Sequence, residues 1–150
     1  MKTKALLFVG IIVFLAAGNV LAEPEGAGYI KTLSGQATVM RASAALPAEI
    51  GQILYPGDMV HTDEKGSVAI LLEDDTLLSL GPNSQLNLDD YAFKPQEGLL
   101  SIAASLLKGS LAYVSGAIGR LAPQNVRVET PDAVISTYGT RFLVKVESKR

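Results

Sequence analysis

The segment Gly57–Asp89 reads GDMVHTDEKGSVAILLEDDTLLSLGPNSQLNLD, and it decides the fold class of this chain. Short apolar runs alternate in it with residues that favour turns. Side chains of a strand point alternately to the two faces of a sheet, so Val68, Ile70 and Leu72 share one face. Strands of about five residues at spacings of roughly 8–12 residues are typical of all-β sandwiches, barrels and solenoids. The segment therefore predicts strands and excludes helix.

The flanking residues extend the same pattern in both directions. Tyr29–Leu33 and Gln36–Arg41 enclose Ser34-Gly35, which predicts a hairpin with a two-residue turn. Ala42–Gly51 is predicted to be a loop because it contains Pro47, and proline is excluded from central strands. Asp89–Glu97 is predicted to be a second polar loop, with its aromatic residues folded back on the core.

The N-terminus has the three-part layout of a secretory signal peptide. Lys2 and Lys4 precede the apolar run Ala5–Ala17, and Val20-Leu21-Ala22 supplies small residues where cleavage is expected. An uncleaved membrane anchor is the alternative, but about 13 apolar residues fall short of the roughly 20 that a spanning helix needs. We expect cleavage after Ala22 and export to the periplasm or beyond.

Composition restricts the function of the mature chain. Removing 22 of 150 residues leaves 128, which suffices for one domain. The removed segment contains two of the 13 basic residues and none of the 15 acidic ones, so 11 against 15 gives a net charge of −4. A mildly acidic chain is a poor candidate for binding nucleic acid or an anionic membrane. The absence of cysteine excludes disulfides, thiolate metal sites and a lipoprotein anchor.

The order of motifs in this chain resembles the FecR-type domain, a periplasmic family named for the regulator of ferric-citrate uptake. The matching residues are Gly57, Asp58, Val60 and Thr62, then Gly66, Leu72, Asp74 and Thr76, then Leu78, Leu80, Gly81, Ser84 and Leu86, and finally Thr130-Pro131-Asp132-Ala133-Val134 with Gly139-Thr140-Arg141-Phe142. Asp75 stands where the family usually has a turn glycine, which predicts a different turn type. Tyr138 stands where an arginine often precedes the Gly-Thr pair.

The resemblance implies a single β-solenoid-like domain over residues 29–147, preceded by a flexible leader at 23–28 and followed by a tail at 148–150. A β-sandwich is the alternative. Leu99–Leu121 is ambiguous, because its first apolar residues also fit one face of a short helix near 99–107. The resemblance instead implies a strand ending near Leu107, a turn at Lys108-Gly109 and a second strand.

The residues carry no recognisable catalytic or metal-binding pattern. His61 is the only histidine and lacks an orienting carboxylate in sequence, so a structural role is expected. The acidic clusters Glu73-Asp74-Asp75 and Asp89-Asp90 lack the spacing of a calcium loop and are predicted to be solvated turns. Gly116–Arg120 lacks the lysine of a phosphate loop and is predicted to be a flexible turn. We expect no enzyme activity, cofactor or metal.

These patterns favour a non-enzymatic interaction module, a sensor or adaptor in envelope signalling. By resemblance, its partner is an outer-membrane receptor or an anti-sigma-type regulator. The sequence shows neither a cytoplasmic segment nor an internal membrane helix, so we expect it not to carry a signal across the inner membrane alone. The alternative is a structural protein associated with the cell wall or an assembly, with glycan as its partner. The lack of tryptophan favours protein partners over glycan.

Overall fold

A computed structural model describes residues 18–19, 21–136 and 139–147, and it confirms the all-β class. The predicted signal segment up to residue 17, Tyr138 and the tail at 148–150 lie outside the described residues. The elements are β1 Gly28–Ser34, β2 Ala37–Arg41, β3 Ala44–Pro47, β4 Ile53–Leu54, β5 Met59–Thr62, β6 Ser67–Leu72, β7 Leu77–Leu80, β8 Gln85–Lys94, β9 Leu99–Val114, α1 Ala117–Leu121, β10 Val126–Glu129, β11 Val134–Ile135 and β12 Arg141–Val146. Single 3₁₀ turns precede β9 and β10.

The long strand β9 joins two parts of one curled, half-barrel sheet. Its first half pairs with β8 on one side and β10 on the other, and its second half pairs with β7 and β12. The strand order is β3-β2-β5-β8 on one side of this junction and β7-β6-β1-β4 on the other. All described pairings are antiparallel except β9 with β10. Antiparallel ladders therefore dominate the sheet, and a stack of solenoid rungs is not shown.

Alternate residues of both parts of the sheet pack together in one hydrophobic core. In β5, β6 and β7 every second residue is buried, as the period-two pattern predicts. The fully buried side chains include Ile30, Val39, Leu54, Ile70, Leu72, Leu78, Leu86, Ile102, Leu106, Leu111, Tyr113 and Ile118. Burying an aliphatic side chain of this size contributes roughly 1.5–3 kcal/mol before entropy is counted. In the part of the chain that is described, no helix is long and apolar enough to cross a membrane.

The expectations for residues 99–121 need correction. The possible helix near 99–107 is wrong, because these residues are the first half of β9. The predicted turn at Lys108-Gly109 is also wrong, since β9 continues through both. Gly109 instead has a φ of +87° in mid-strand, and a Cβ there would lie 2.1 Å from Ser84 Oγ. The glycine thus lets β9 change partners without ending.

Three further predictions fail for reasons of pairing. Strands β1 and β2 do not form a hairpin, because β1 pairs with β4 and β6 while β2 pairs with β3 and β5. The Ala42–Gly51 loop contains the edge strand β3, which ends at Pro47. The Asp89–Glu97 loop belongs largely to β8, which continues to Lys94 past an irregularity near Asp89.

Replacing Gly109 with alanine tests this change of partners. We expect Gly109→Ala to lower the free energy of unfolding by well over 1 kcal/mol, because it combines a strained positive φ with a steric clash. Gly51→Ala is the matched control, since Gly51 has a φ of +85° with no atom within 4 Å of the added Cβ. Urea unfolding measures both variants, and equal losses would show that contact with Ser84 is unimportant.

Candidate functional site

The carboxylate of Asp74, in the turn between β6 and β7, is 2% exposed and accepts four hydrogen bonds. Its Oδ2 accepts from Thr76 Oγ1 at 2.7 Å and from the Ile118 backbone N–H at 3.0 Å. Its Oδ1 accepts from the Tyr91 hydroxyl at 3.0 Å and from the Thr76 N–H at 3.3 Å. A buried carboxylate is tolerated only when hydrogen-bonded in this way. Asp74 is therefore not the solvated turn residue that the sequence predicted.

Helix α1 is held against this turn by backbone contacts. The Ala117 N–H donates to Asp74 O at 2.7 Å, and the Gly116 N–H donates to Thr76 Oγ1 at 3.2 Å. A Cβ on Gly116 would lie 2.2 Å from Asp74 O, so only glycine permits this approach. Gly116–Arg120 is thus an ordered turn into a helix whose Ile118 is fully buried, and the expectation of a flexible turn is wrong.

Tyr91 links β8 to the same turn. Its hydroxyl accepts from the Asp74 N–H at 2.9 Å while it donates to the Asp74 carboxylate. Burial, followed by the nearby negative charge of Asp74, raises the pKa of the Tyr91 phenol far above its ordinary value. The phenol therefore stays protonated and keeps donating at any physiological pH.

A second buried cluster joins the turn between β7 and β8 to two other strands. The Ser84 N–H donates to Thr62 Oγ1 at 2.9 Å, and Thr62 Oγ1 donates to Gly81 O at 2.6 Å. Ser84 Oγ accepts from the Ser110 N–H at 2.9 Å, beside Gly109. Thr62 and Ser84 are both fully buried. These hydroxyls satisfy backbone groups where ladder pairing is interrupted.

The third cluster is an ion pair. Asp58 is 2% exposed, and its two carboxylate oxygens accept from Arg41 Nε at 2.9 Å and Nη2 at 2.8 Å. The Tyr55 N–H also donates to Asp58 Oδ2 at 2.9 Å, and the guanidinium lies over the Tyr55 ring. The hydrogen bond with Asp58 raises the pKa of Arg41. Paired geometry of this kind is the strong form of a salt bridge.

The remaining motif residues lie in turns and at one edge of the sheet. Gly57 has a φ of +93° and donates to Leu88 O, and a Cβ on Gly66 would lie 2.3 Å from Gln36 O. Pro131 is exposed in the turn between β10 and β11. Gly139 and Thr140 form the bend before β12, where Thr140 O accepts from the Ser115 N–H. The Phe142 ring stacks on Tyr113 with centroids 4.6 Å apart.

Sequence reasoning placed Asp58 and Asp74 in the motifs but missed their partners Arg41 and Tyr91. These lie 17 residues away on other strands, and no local pattern indicates such a pairing. The cross-strand neighbours of His61 are Thr38 and Gln85, and neither is a carboxylate that could orient the imidazole. Within the described ranges, no group of three potential ligands could hold a metal ion.

The outward face of one part of the sheet carries a row of paired residues that is apolar except at its end. Successive cross-strand pairs join β4, β1, β6, β7 and β9 through Ile53, Tyr29, Leu71, Leu77 and Val114, and the row ends at Arg141 of β12. Ile53 is 44% exposed and Tyr29 is 38% exposed. A second row contains the small residues Thr32, Ala69, Ser79 and Ala112 and ends at Leu143. We call these two rows, without Arg141, the apolar face, although the second row also contains two hydroxyl side chains.

The outward face of the other part is mixed. One row, which we call the polar row, joins Thr38, His61, Gln85 and Lys108. The next row joins Ala45, Met40, Met59, Asn87 and Ser105. A solvated face of an antiparallel sheet normally carries polar side chains, so the row from Ile53 to Val114, with large hydrophobic or aromatic side chains throughout, is the unusual one.

Comparison with known protein families identifies the family to which the chain belongs. The family model described as FecR protein matches residues 58–150, which is more than half of the sequence. The chain belongs to the FecR family. The match begins at the buried Asp58 and includes both the Asp74 and Ser84 clusters. No curated protein and no solved structure matches the chain.

Asp75 has a φ of +67°, in the left-handed region that glycine adopts most readily. We predict that Asp75→Gly is as stable as the parent chain or more so by up to about 1 kcal/mol, whereas Asp75→Ala loses about 1 kcal/mol. At exposed Glu73, which lacks a positive φ, alanine should instead be at least as stable as glycine. Thermal unfolding of the four variants checks this reversal.

Tyr91→Phe should lower the free energy of unfolding by about 1–3 kcal/mol near pH 8, because it removes one donor from Asp74 and one acceptor from its N–H. The raised pKa of Tyr91 stabilises the fold fully below its ordinary pKa of 10.0, and this stability is lost as the pH rises above it. The parent chain should therefore lose stability above about pH 10 more steeply than Tyr91→Phe.

Urea unfolding across this alkaline range measures both effects. Tyr29→Phe changes an exposed tyrosine and should leave the stability near that of the parent chain. A Tyr91→Phe profile parallel to the parent profile at every pH would contradict the proposed protonation of the Tyr91–Asp74 pair.

Proposed function

We propose that this FecR-family protein is an exported, non-enzymatic interaction module that serves as a sensor or adaptor in envelope signalling. The observation that carries the proposal is that the buried polar side chains hold the fold together, whereas the outward apolar side chains do not. The buried polar residues of the described chain are Asp58, Thr62, Asp74, Thr76 and Ser84, and each is engaged in joining a turn to a neighbouring segment. The outward apolar face has no such internal use.

The buried motif residues act as a scaffold in this proposal. Their carboxylates and hydroxyls accept from backbone N–H groups, and none is paired with a histidine that could activate it. A nucleophile needs an adjacent base or a lowered pKa. The proposal therefore assigns no catalytic step to them. It assigns recognition to the outer surfaces of the sheet, where apolar side chains gain most from being covered.

Export is part of the same proposal. We infer cleavage after Ala22, in the neighbourhood of Leu21, which is 87% exposed. The packed chain starts shortly afterwards, since Ala27 is buried and its N–H donates to Leu54 O at 2.7 Å. N-terminal sequencing of the protein from a periplasmic fraction should find Glu23 first.

Site-specific photocrosslinking in living cells tests the function. A photoreactive residue at Leu77 probes the apolar face, and one at Gln85 in the polar row is the matched control. We expect an outer-membrane receptor or an anti-sigma-type regulator to be crosslinked from Leu77 and not from Gln85, as identified by mass spectrometry. Recovery of only cell-wall glycan or of the chain itself would replace the adaptor function with the structural alternative.

A further inference from the structure

The strand β12 is a terminal strand of the described sheet, and one of its edges is free along its whole length. It pairs with β9 and with no other described strand, and it has six residues. The other terminal strands are shorter: β4 and β11 have two residues each, and β3 has four and ends at Pro47. Short strands and proline are common means of blocking unwanted strand addition. Among the terminal strands, β12 is therefore the one best suited to accept another strand.

The hydrogen-bond phase of β12 fixes which residues face an incoming strand. The Ser115 N–H donates to Thr140 O, so residues 140, 142, 144 and 146 direct their backbone groups towards β9. By alternation, the N–H and C=O groups of Arg141, Leu143 and Lys145 point away from β9. These three residues supply the backbone groups for pairing.

The side chains of Arg141, Leu143 and Lys145 indicate which residues a partner strand should carry. Leu143 is 74% exposed, and the Lys145 side chain is 71% exposed. Leu143 continues the second row of the apolar face, while Arg141 and Lys145 carry positive charge on either side of it. Lys145 Nζ lies 3.9 Å from Glu147 Oε1, and both side chains are exposed, so this contact is weak and easily exchanged.

We propose that β12 binds an extended segment of another protein that carries acidic, apolar and acidic residues at alternate positions. The apolar residue lies opposite Leu143, and the two acidic residues lie opposite Arg141 and Lys145. Backbone hydrogen bonds attach the segment as an additional strand, and the charge pattern sets its register. This assignment rests on the interaction function proposed above and specifies the surface and the chemistry of the partner.

A second copy of the chain fits this edge less well. Antiparallel pairing centred on Leu143 brings Arg141 opposite Lys145 of the other copy, and like charges directly opposite are destabilising. Pairing centred on Val144 places Arg141 opposite Glu147 but puts Leu143 opposite Lys145. Each self-pairing register thus satisfies only part of the pattern, whereas the acidic–apolar–acidic segment satisfies it throughout.

The test uses the protein as purified from the cell envelope and a fluorescein-labelled peptide, Thr-Glu-Thr-Val-Thr-Glu-Thr. We expect saturable binding by fluorescence anisotropy at protein concentrations on the order of 0.1–1 mM, as suits a small interface. The double variant Arg141→Glu/Lys145→Glu should weaken binding at least about tenfold and should bind instead a peptide with both glutamates replaced by lysine. Lys65→Glu, which reverses an exposed charge in a distant turn, should bind like the parent chain.

Two further measurements separate strand addition from its rivals. N-methylation of the peptide at the valine and both glutamates removes the N–H donors directed at β12 and should abolish binding. Equal binding of the methylated peptide, or no binding by the parent chain, overturns the proposal. Concentration-dependent sedimentation that the peptide does not reverse also overturns it, because the edge is then a self-interface. The peptide result is independent of the crosslinking result, so failure of the edge proposal leaves the adaptor function separately testable.

Discussion

The described fold depends on the buried carboxylate of Asp74. It is the one group that contacts the turn between β6 and β7, the strand β8 through Tyr91, and the start of α1 through the Ile118 N–H. Removing it would leave those donors unpaired in the core, and each buried unpaired donor costs about 1–3 kcal/mol. The carboxylate thus fixes one turn, one strand and the start of one helix at a single corner of the fold.

The clusters around Ser84 and Asp58 apply the same principle at other corners. A curled sheet must interrupt its ladders where strands change partners, and those interruptions leave backbone groups without strand partners. Short side chains with oxygen atoms satisfy them locally. This explains why the FecR motifs are rich in aspartate, serine and threonine although the structure brings none of these residues into a catalytic arrangement.

Much of the strand pattern could be predicted from sequence, because alternation in β5, β6 and β7 reports burial directly. The pairing could not. Ser34-Gly35 has the local chemistry of a hairpin, yet β1 and β2 pair elsewhere, since long-range partners outweigh a two-residue turn. Leu99–Leu107 fits a helix as well as a strand until β8 and β10 are known to flank it. The partners Arg41 and Tyr91 likewise follow only from the three-dimensional arrangement. The free edge of β12 follows only from the complete set of strand pairings.

The shared strand β9 has a consequence for how the protein folds. The strands β7 and β8 precede it, β10 and β12 follow it, and all four pair with it. The part with β8 needs β9 up to residue 108 and the part with β7 needs it up to residue 114, and contacts so distant in sequence are slow to form. A polypeptide threaded through a secretion channel must stay unfolded during transit. For the export proposed above, late closure around β9 would keep the chain in that extended form during transit and then commit both parts to one cooperative transition.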